Sequence, residues 1–302
     1  MLGKIPVPTV FFGGGTPSLM PPRVFARIMD ALGQNFNVDT DAEITIESNP
    51  GTMDAARLDE FCDIGMNRLS IGVQSFDDEK LKFLGRIHCA DDALRLVDNA
   101  VQRKIRVSCD FIYGLPGENV DDVIKMCKEI NNIGITHCSL YELTIEPNTP
   151  FGKMRMNMPD NETMAEMYIA IGDTLNLPRY EVSNYAKIGD ECRHNQNVWD
   201  GEPYIGIGQG AAGRIFMNDV WYEQMGGGAL FNKLDNDSRA VERIITGLRT
   251  KRGVRIDSDI KKIINLEFAK SSPDMIMCHS DRISATDAGM LVLDDLIEKL
   301  VN

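Results

Sequence analysis

The sequence predicts an α/β fold built on a parallel β-sheet, and three observations carry that reading. Short β-branched and apolar runs recur every few tens of residues up to residue 182. Amphipathic helical patterns lie between most of them. The polar groups that stand out, Gly13–Thr16, Glu47, Gln74 and Asp110, fall at the carboxyl ends of those runs. Open doubly wound sheets and barrels both place their ligand loops there.

Taken in order, strands are expected at Thr9–Phe12, Glu43–Glu47, Arg68–Gln74, Arg106–Ile112, His137–Leu143 and Tyr180–Val182. Between them, Leu94, Val97 and Val101 repeat at helical spacing, as do Val123, Cys127 and Ile130, and Gly134 suits the end of that second helix. Met164, Met167, Ile171 and Leu175 form a stripe read as core packing. After about residue 185 the chain turns rich in glycine and aromatics, with no long helix signal. Ala240, Ile244 and Leu248 then share one helix face, and RISATDAGMLVLDDLIEKLV reads as a short strand and a helix capped near Thr286. The expected domains are residues 1–185 and a smaller, mainly helical domain at 186–302.

Composition narrows the function. The 302 residues are 43% hydrophobic and 25% charged, as in a soluble globular protein. No apolar run is long enough to span a bilayer, and MLGKIPVPTVFF has no leader-like pattern, so the expected location is the cytoplasm. A net charge of −13 disfavours nucleic acid as a partner. The basic stretch RTKRGVR (Arg249–Arg255) reads as a solvated turn. The seven cysteines show no CxxC or Cys/His finger spacing, so a local zinc or iron–sulfur motif is absent.

Three stretches invite a ligand. FFGGGTPS lacks the Lys-Ser/Thr of a P-loop, yet three glycines after a strand let a ligand lie on the backbone. GQGAAG (Gly208–Gly213) matches G-x-G-x-x-G, but the strand-like RIFMNDVWYE follows it where a dinucleotide site needs a helix. CRHNQNVW (Cys192–Trp199) reads either as a structured turn with a buried Trp or as a loop offering His194 to a metal or porphyrin.

The segments VFFGGGTPSL, ITIESNPGT, GMNRLSIGVQSFDDEKLKFLGRIH, DFIYGLPG, SLYELTIEPNTPF and YEVSNYAKIGDECRHNQNVW occur here in one order. That order resembles the radical S-adenosylmethionine (SAM) proteins related to oxygen-independent coproporphyrinogen III oxidase, and the last two segments look more like the haem chaperone subfamily. The resemblance implies an incomplete parallel (β/α) barrel with a smaller C-terminal domain. It implies SAM held by Gly14, Gly15, Thr16, Glu47, Gln74, Arg86 and Asp110. It implies haem contacted by His194, Asn195 and Trp199, with His194 on the iron, although Val198 stands where the subfamily's HNxxYW pattern has Tyr. The family's CxxxCxxC motif, which holds a [4Fe–4S] cluster, does not occur in this sequence. The chain would then begin at the equivalent of the second strand, either as a fragment or as a cluster-free relative; as written it is not expected to cleave SAM. The expected function is a haem chaperone that passes haem to acceptor proteins, with peripheral membrane contact allowed. The alternatives are a coproporphyrinogen III oxidase-type enzyme of porphyrin biosynthesis and a cluster-free binding module.

Overall fold

The computed structural model describes residues 5–149, 151–228 and 230–301. Its main sheet follows from strict alternation along the strands. β1 is Pro6–Phe12, β2 Asn37–Ser48, β3 Arg68–Gln74, β4 Arg106–Tyr113, β5 His137–Glu142 and β6 Asn184–Ala186. Ile44, Ile46, Leu69, Ile71, Val107, Cys109, Cys138 and Leu140 are buried, and so are the polar residues between them: Glu43, Thr45, Ser70, Ser108, His137 and Ser139. Successive side chains on a strand point to opposite faces, so this pattern makes one apolar face and one polar face. The apolar face packs against the helices that follow the strands.

Those helices are α1 (Pro22–Asn35), α2 (Ala55–Ile64), α3 (Asp78–Phe83), α4 (Ala90–Gln102), α5 (Val120–Ile130) and α6 (Asn161–Thr174). Phe25 of α1 lies between Phe12 and Phe61, with ring centroids 5.0 and 5.1 Å away. Local chemistry starts the helices. Asn119 accepts from the N–H groups of Asp121 and Asp122, while Asp122 accepts in return from the N–H of Asn119. The sheet order is β1-β2-β3-β4-β5-β6; β1 to β5 are parallel and β6 runs antiparallel to β5. This is the incomplete parallel barrel the resemblance implied, closed on one side by an antiparallel strand.

The chain divides into two compact units. One holds the residues up to Arg179 together with Ser183–Glu191, and the other holds Tyr180–Val182 and the residues from Cys192 onward. The strand expected at Tyr180–Val182 is therefore corrected. Val182 donates to the carbonyl of Arg249, and the buried Glu181 carboxylate takes an ion pair from Arg249 at 2.7 Å. Those partners belong to the second unit; the sixth strand comes later, where Ser139 and Asn184 are register partners.

In the second unit, α7 (Arg193–Trp199) is followed by β7 (Gly213–Met217), β8 (Val220–Met225), β9 (Leu230–Leu234), α8 (Asn236–Leu248), β10 (Val254–Arg255), α9 (Ile260–Ile263), α10 (Leu266–Ser271), β11 (Ile276–Cys278), β12 (Arg282–Ala285), α11 (Asp287–Leu291) and α12 (Leu293–Leu300). Two three-stranded sheets accompany the helices. The strand-like RIFMNDVWYE is a β7–β8 hairpin whose Asn218 and Asp219 both have positive φ, as a tight primed turn requires. Thr286 caps α11 by accepting from Gly289, as expected. The GQGAAG stretch is an interlocked turn: Gln224 accepts from the N–H of Gly206 and donates to its carbonyl, and a Cβ on Gly227 would meet the carbonyl oxygen of Gly208 at 2.1 Å. Within the stretch Gly213 serves close backbone packing, since a Cβ there would meet the carbonyl oxygen of Tyr204 at 2.7 Å, while Gly208 and Gly210 take φ of 103° and 79°.

Candidate functional site

β1 ends at Phe12 and releases the glycine loop at the carboxyl edge of the sheet. Each glycine there has its own reason. A Cβ on Gly13 would press to 3.2 Å from Glu47 Oε2 and from the Phe11 ring, while Gly14 and Gly15 take φ of 79° and 58°, a region that disfavours side chains. The loop is then fastened to the segment after β2. The Gly14 N–H donates to Glu47 Oε2 at 3.1 Å. Asn49 Nδ2 donates to Thr16 Oγ1 at 3.3 Å, and the hydroxyls of Ser18 and Thr52 lie 2.6 Å apart. Arg57 Nη2 donates to the carbonyls of Leu19 and Met20, each at 2.9 Å.

The neighbouring strands supply the other walls. Gln74 ends β3 beyond a register shift, with φ of 67° and little exposure. A ring nitrogen of the buried His88 lies 3.3 Å from the carbonyl oxygen of Val73, which steadies that irregular end. Arg86 follows α3, its N–H donating to the carbonyl of Leu81. Asp110 stands on the polar face of β4 and accepts from Ser70 Oγ at 3.1 Å.

These residues enclose one cavity of about 190 Å³, lined by Gly15, Thr16, Glu47, Gln74, Arg86 and Asp110 together with Pro17, Ser48, Asn49, Ser70 and Gly72. Six of the seven residues expected at a SAM site thus meet in one place, and the seventh, Gly14, is bonded to Glu47. Burial pushes the Glu47 carboxyl up; the Gly14 N–H opposes this, and the nearby Asp110 charge adds to it. Burial also raises the Asp110 carboxyl, against the hydroxyls of Ser139 and Ser70 and the charge of Arg68. Two carboxyls that repel each other in a half-closed cavity, with an arginine at its wall, suit a ligand carrying both a cation and a carboxylate.

Ser48, Asn49, Ser70 and Gly72 escaped the sequence reading. The signal for two of them was present: Ser70 and Gly72 stand at even spacing from Arg68, on the polar face of β3.

His194, Asn195 and Trp199 lie in the second unit on α7, all half-buried. The stretch expected to be a loop is a short helix, ended by Gly201 with φ of 80°. Trp199 packs on Tyr180 with centroids 6.0 Å apart, and its carbonyl accepts from Thr246 Oγ1 at 3.0 Å. The remaining histidines divide by exposure. His88 and His137 are buried, the latter with Nδ1 2.7 Å from Ser108 Oγ, and burial with the charges of Arg68 and Arg106 holds His137 well below its ordinary range. His279 is exposed. Among the described residues no group of three or more Cys, His, Asp or Glu side chains could hold a metal ion, so a [4Fe–4S] cluster has no ligand set there. Nor is any helix among them long and apolar enough to cross a membrane.

Residues 1–130 match the radical SAM superfamily. The chain is 40% identical over 217 residues to the protein named Heme chaperone HemW of Escherichia coli (strain K12), covering 70% of this chain and 57% of that protein. It is 38% identical over 261 residues to Radical S-adenosyl methionine domain-containing protein 1, mitochondrial, of Bos taurus, covering 82% of this chain and 58% of that one. The chain thus spans little more than half the length of these curated relatives. Among solved structures, the radical SAM enzyme coproporphyrinogen III oxidase from Escherichia coli superposes with a TM-score of 0.77 at 20% identity, over 97% of this chain and 77% of that one. That likeness is one of fold.

Proposed function

The chain belongs to the radical SAM superfamily, and on that premise we propose that it is a haem chaperone-type member that binds SAM in the β1–β4 cavity and haem through α7. The observation that carries the SAM half is the convergence of Gly15, Thr16, Glu47, Gln74, Arg86 and Asp110 on one cavity. Membership of the superfamily implies SAM and a [4Fe–4S] cluster as cofactors. SAM brings a sulfonium cation, an ammonium, a carboxylate and ribose hydroxyls. In this reading Glu47 and Asp110 take the cationic and hydroxyl groups, Arg86 takes the carboxylate, and the glycine loop offers its backbone.

The haem half rests on the relatives named as heme chaperones, which share 33% to 40% identity with this chain. It also rests on exposure: of the four histidines His88 and His137 are buried, whereas His194 is half-buried and His279 is exposed. We assign the haem iron to His194, with Asn195 and Trp199 beside it, and delivery to haem-accepting proteins as the purpose.

Calorimetric titration with SAM and optical titration with ferric haem test the two halves separately. The expected result is saturable SAM binding that Glu47→Gln weakens, and a haem absorption band whose position changes in His194→Ala. An identical haem spectrum and affinity in His194→Ala would move the ligand to another residue, and absence of SAM binding would remove the cavity's assignment.

A further inference from the structure

Gly72 has no positive φ, so its backbone does not require glycine. Its missing side chain matters for space. A Cβ there would lie 2.8 Å from Gln74 Nε2 and 3.3 Å from Asn49 Oδ1, so the side chains nearest to it are those two amides. Two primary amides therefore both reach the space above Gly72, and all three residues line the cavity. The neighbourhood bears strain to arrange this. Gln74 takes a left-handed φ of 67° that a non-glycine residue avoids, the β3–β4 register slips between Ile71 and Gln74, and His88 lies against the carbonyl of Val73 between them. Asn49 is fixed from the other side by its bond to Thr16.

We propose that Gly72 and Asn49 set how tightly the cavity holds its ligand, Gly72 by leaving room for the Gln74 amide to aim inward and Asn49 by presenting a second amide between Thr16 and Gln74. The inference rests on the SAM reading above. Gly72 is thus a positioning residue that acts through Gln74, and Asn49 is a further binding residue. The clash created by Gly72→Ala falls on the far end of a flexible side chain, so the strand tolerates it while the amide is pushed aside.

The experiment is calorimetric titration of the full chain with SAM for wild type, Gly72→Ala, Gln74→Ala, their double variant and Asn49→Ala, with a thermal melt of each. Gly72→Ala and Asn49→Ala should each weaken SAM about tenfold, the worth of one lost neutral hydrogen bond, with melts close to wild type. The double variant should bind no more weakly than Gln74→Ala alone, which a merely structural role for Gly72 would not produce. Wild-type affinity in both Gly72→Ala and Asn49→Ala overturns the inference and leaves the SAM reading standing. Full additivity in the double variant overturns the positioning role of Gly72. A wild-type chain that binds no SAM overturns both the SAM reading and this inference.

Discussion

Replacing Arg106 by Met should cost stability and spare the cavity. Arg106 opens β4, at the end of the sheet away from the glycine loop. Its Nη1 lies 2.8 Å from Glu43 Oε2, its Nη2 donates to the carbonyl of Glu191 at 2.8 Å, and its Nε pairs with Asp190 at 3.3 Å. The Glu43 side chain is 0% exposed, so removing the guanidinium strips a buried carboxylate of this partner. Breaking a buried pair from one side costs about 3 kcal/mol, whereas replacing both charges by neutral groups recovers most of that. At about 2–4 °C per kcal/mol for a unit of this size, the melting temperature should fall by roughly 6–12 °C in Arg106→Met. Glu43→Gln combined with Arg106→Met should return more than half of it. The assay is urea and thermal unfolding followed by circular dichroism, beside a SAM titration. A fall under about 2 °C, or a double variant no better than the single one, would refute the reasoning. A large loss of SAM affinity would refute the separation of the two ends.

Two other perturbations have definite outcomes. Glu47 and Asp110 both have carboxyls raised by burial, so the stability they contribute is fully present below the unfolded carboxyl range and is lost as pH rises through their folded values. A cationic ligand reverses this and expels their protons. SAM binding measured in two buffers of different ionisation enthalpy should therefore show different heats in mildly acidic solution, and equal heats would sink the idea. Phe25→Ala removes a fully buried ring wedged between Phe12 and Phe61, so it should cost about 3–5 kcal/mol in urea unfolding; a cost under 1 kcal/mol would mean that α1 does not anchor the sheet behind the glycine loop.

The legible part of the site was the part written at strand ends. Gly14, Glu47 and Gln74 each follow or stand near the end of an apolar run, Asp110 interrupts one three residues before β4 ends, and parallel strands deliver such positions to one edge. The spacing of Gly72 put it on the polar face of β3, but did not show that its missing side chain makes room for the Gln74 amide. Asn49 was not legible, because it matters through Thr16, 33 residues away. Tyr180–Val182 misled for the same reason. A short extended stretch carries no mark of which edge it will pair with, and here its hydrogen bonds go to Arg249 and Lys251, far along the chain. α7 is too short for a periodic signal, and its polar His-Asn-Gln-Asn run resembles a turn until Gly201 closes it.

The excursion of Tyr180–Val182 also decides how this molecule can be dissected. The chain enters the second unit for three residues, returns to lay down β6, and leaves again at Cys192. No single cut separates the two units cleanly. A fragment ending anywhere from 183 to 191 keeps Glu181 but discards Arg249, its ion-pair partner at 2.7 Å. A fragment starting at Cys192 keeps Arg249 and loses the tyrosine whose hydroxyl accepts from the N–H of Cys192, the residue that caps α7. The His194 helix is therefore best studied in the intact chain, where proteolytic nicking of 183–191, rather than gene truncation, would leave both halves of that embrace in place.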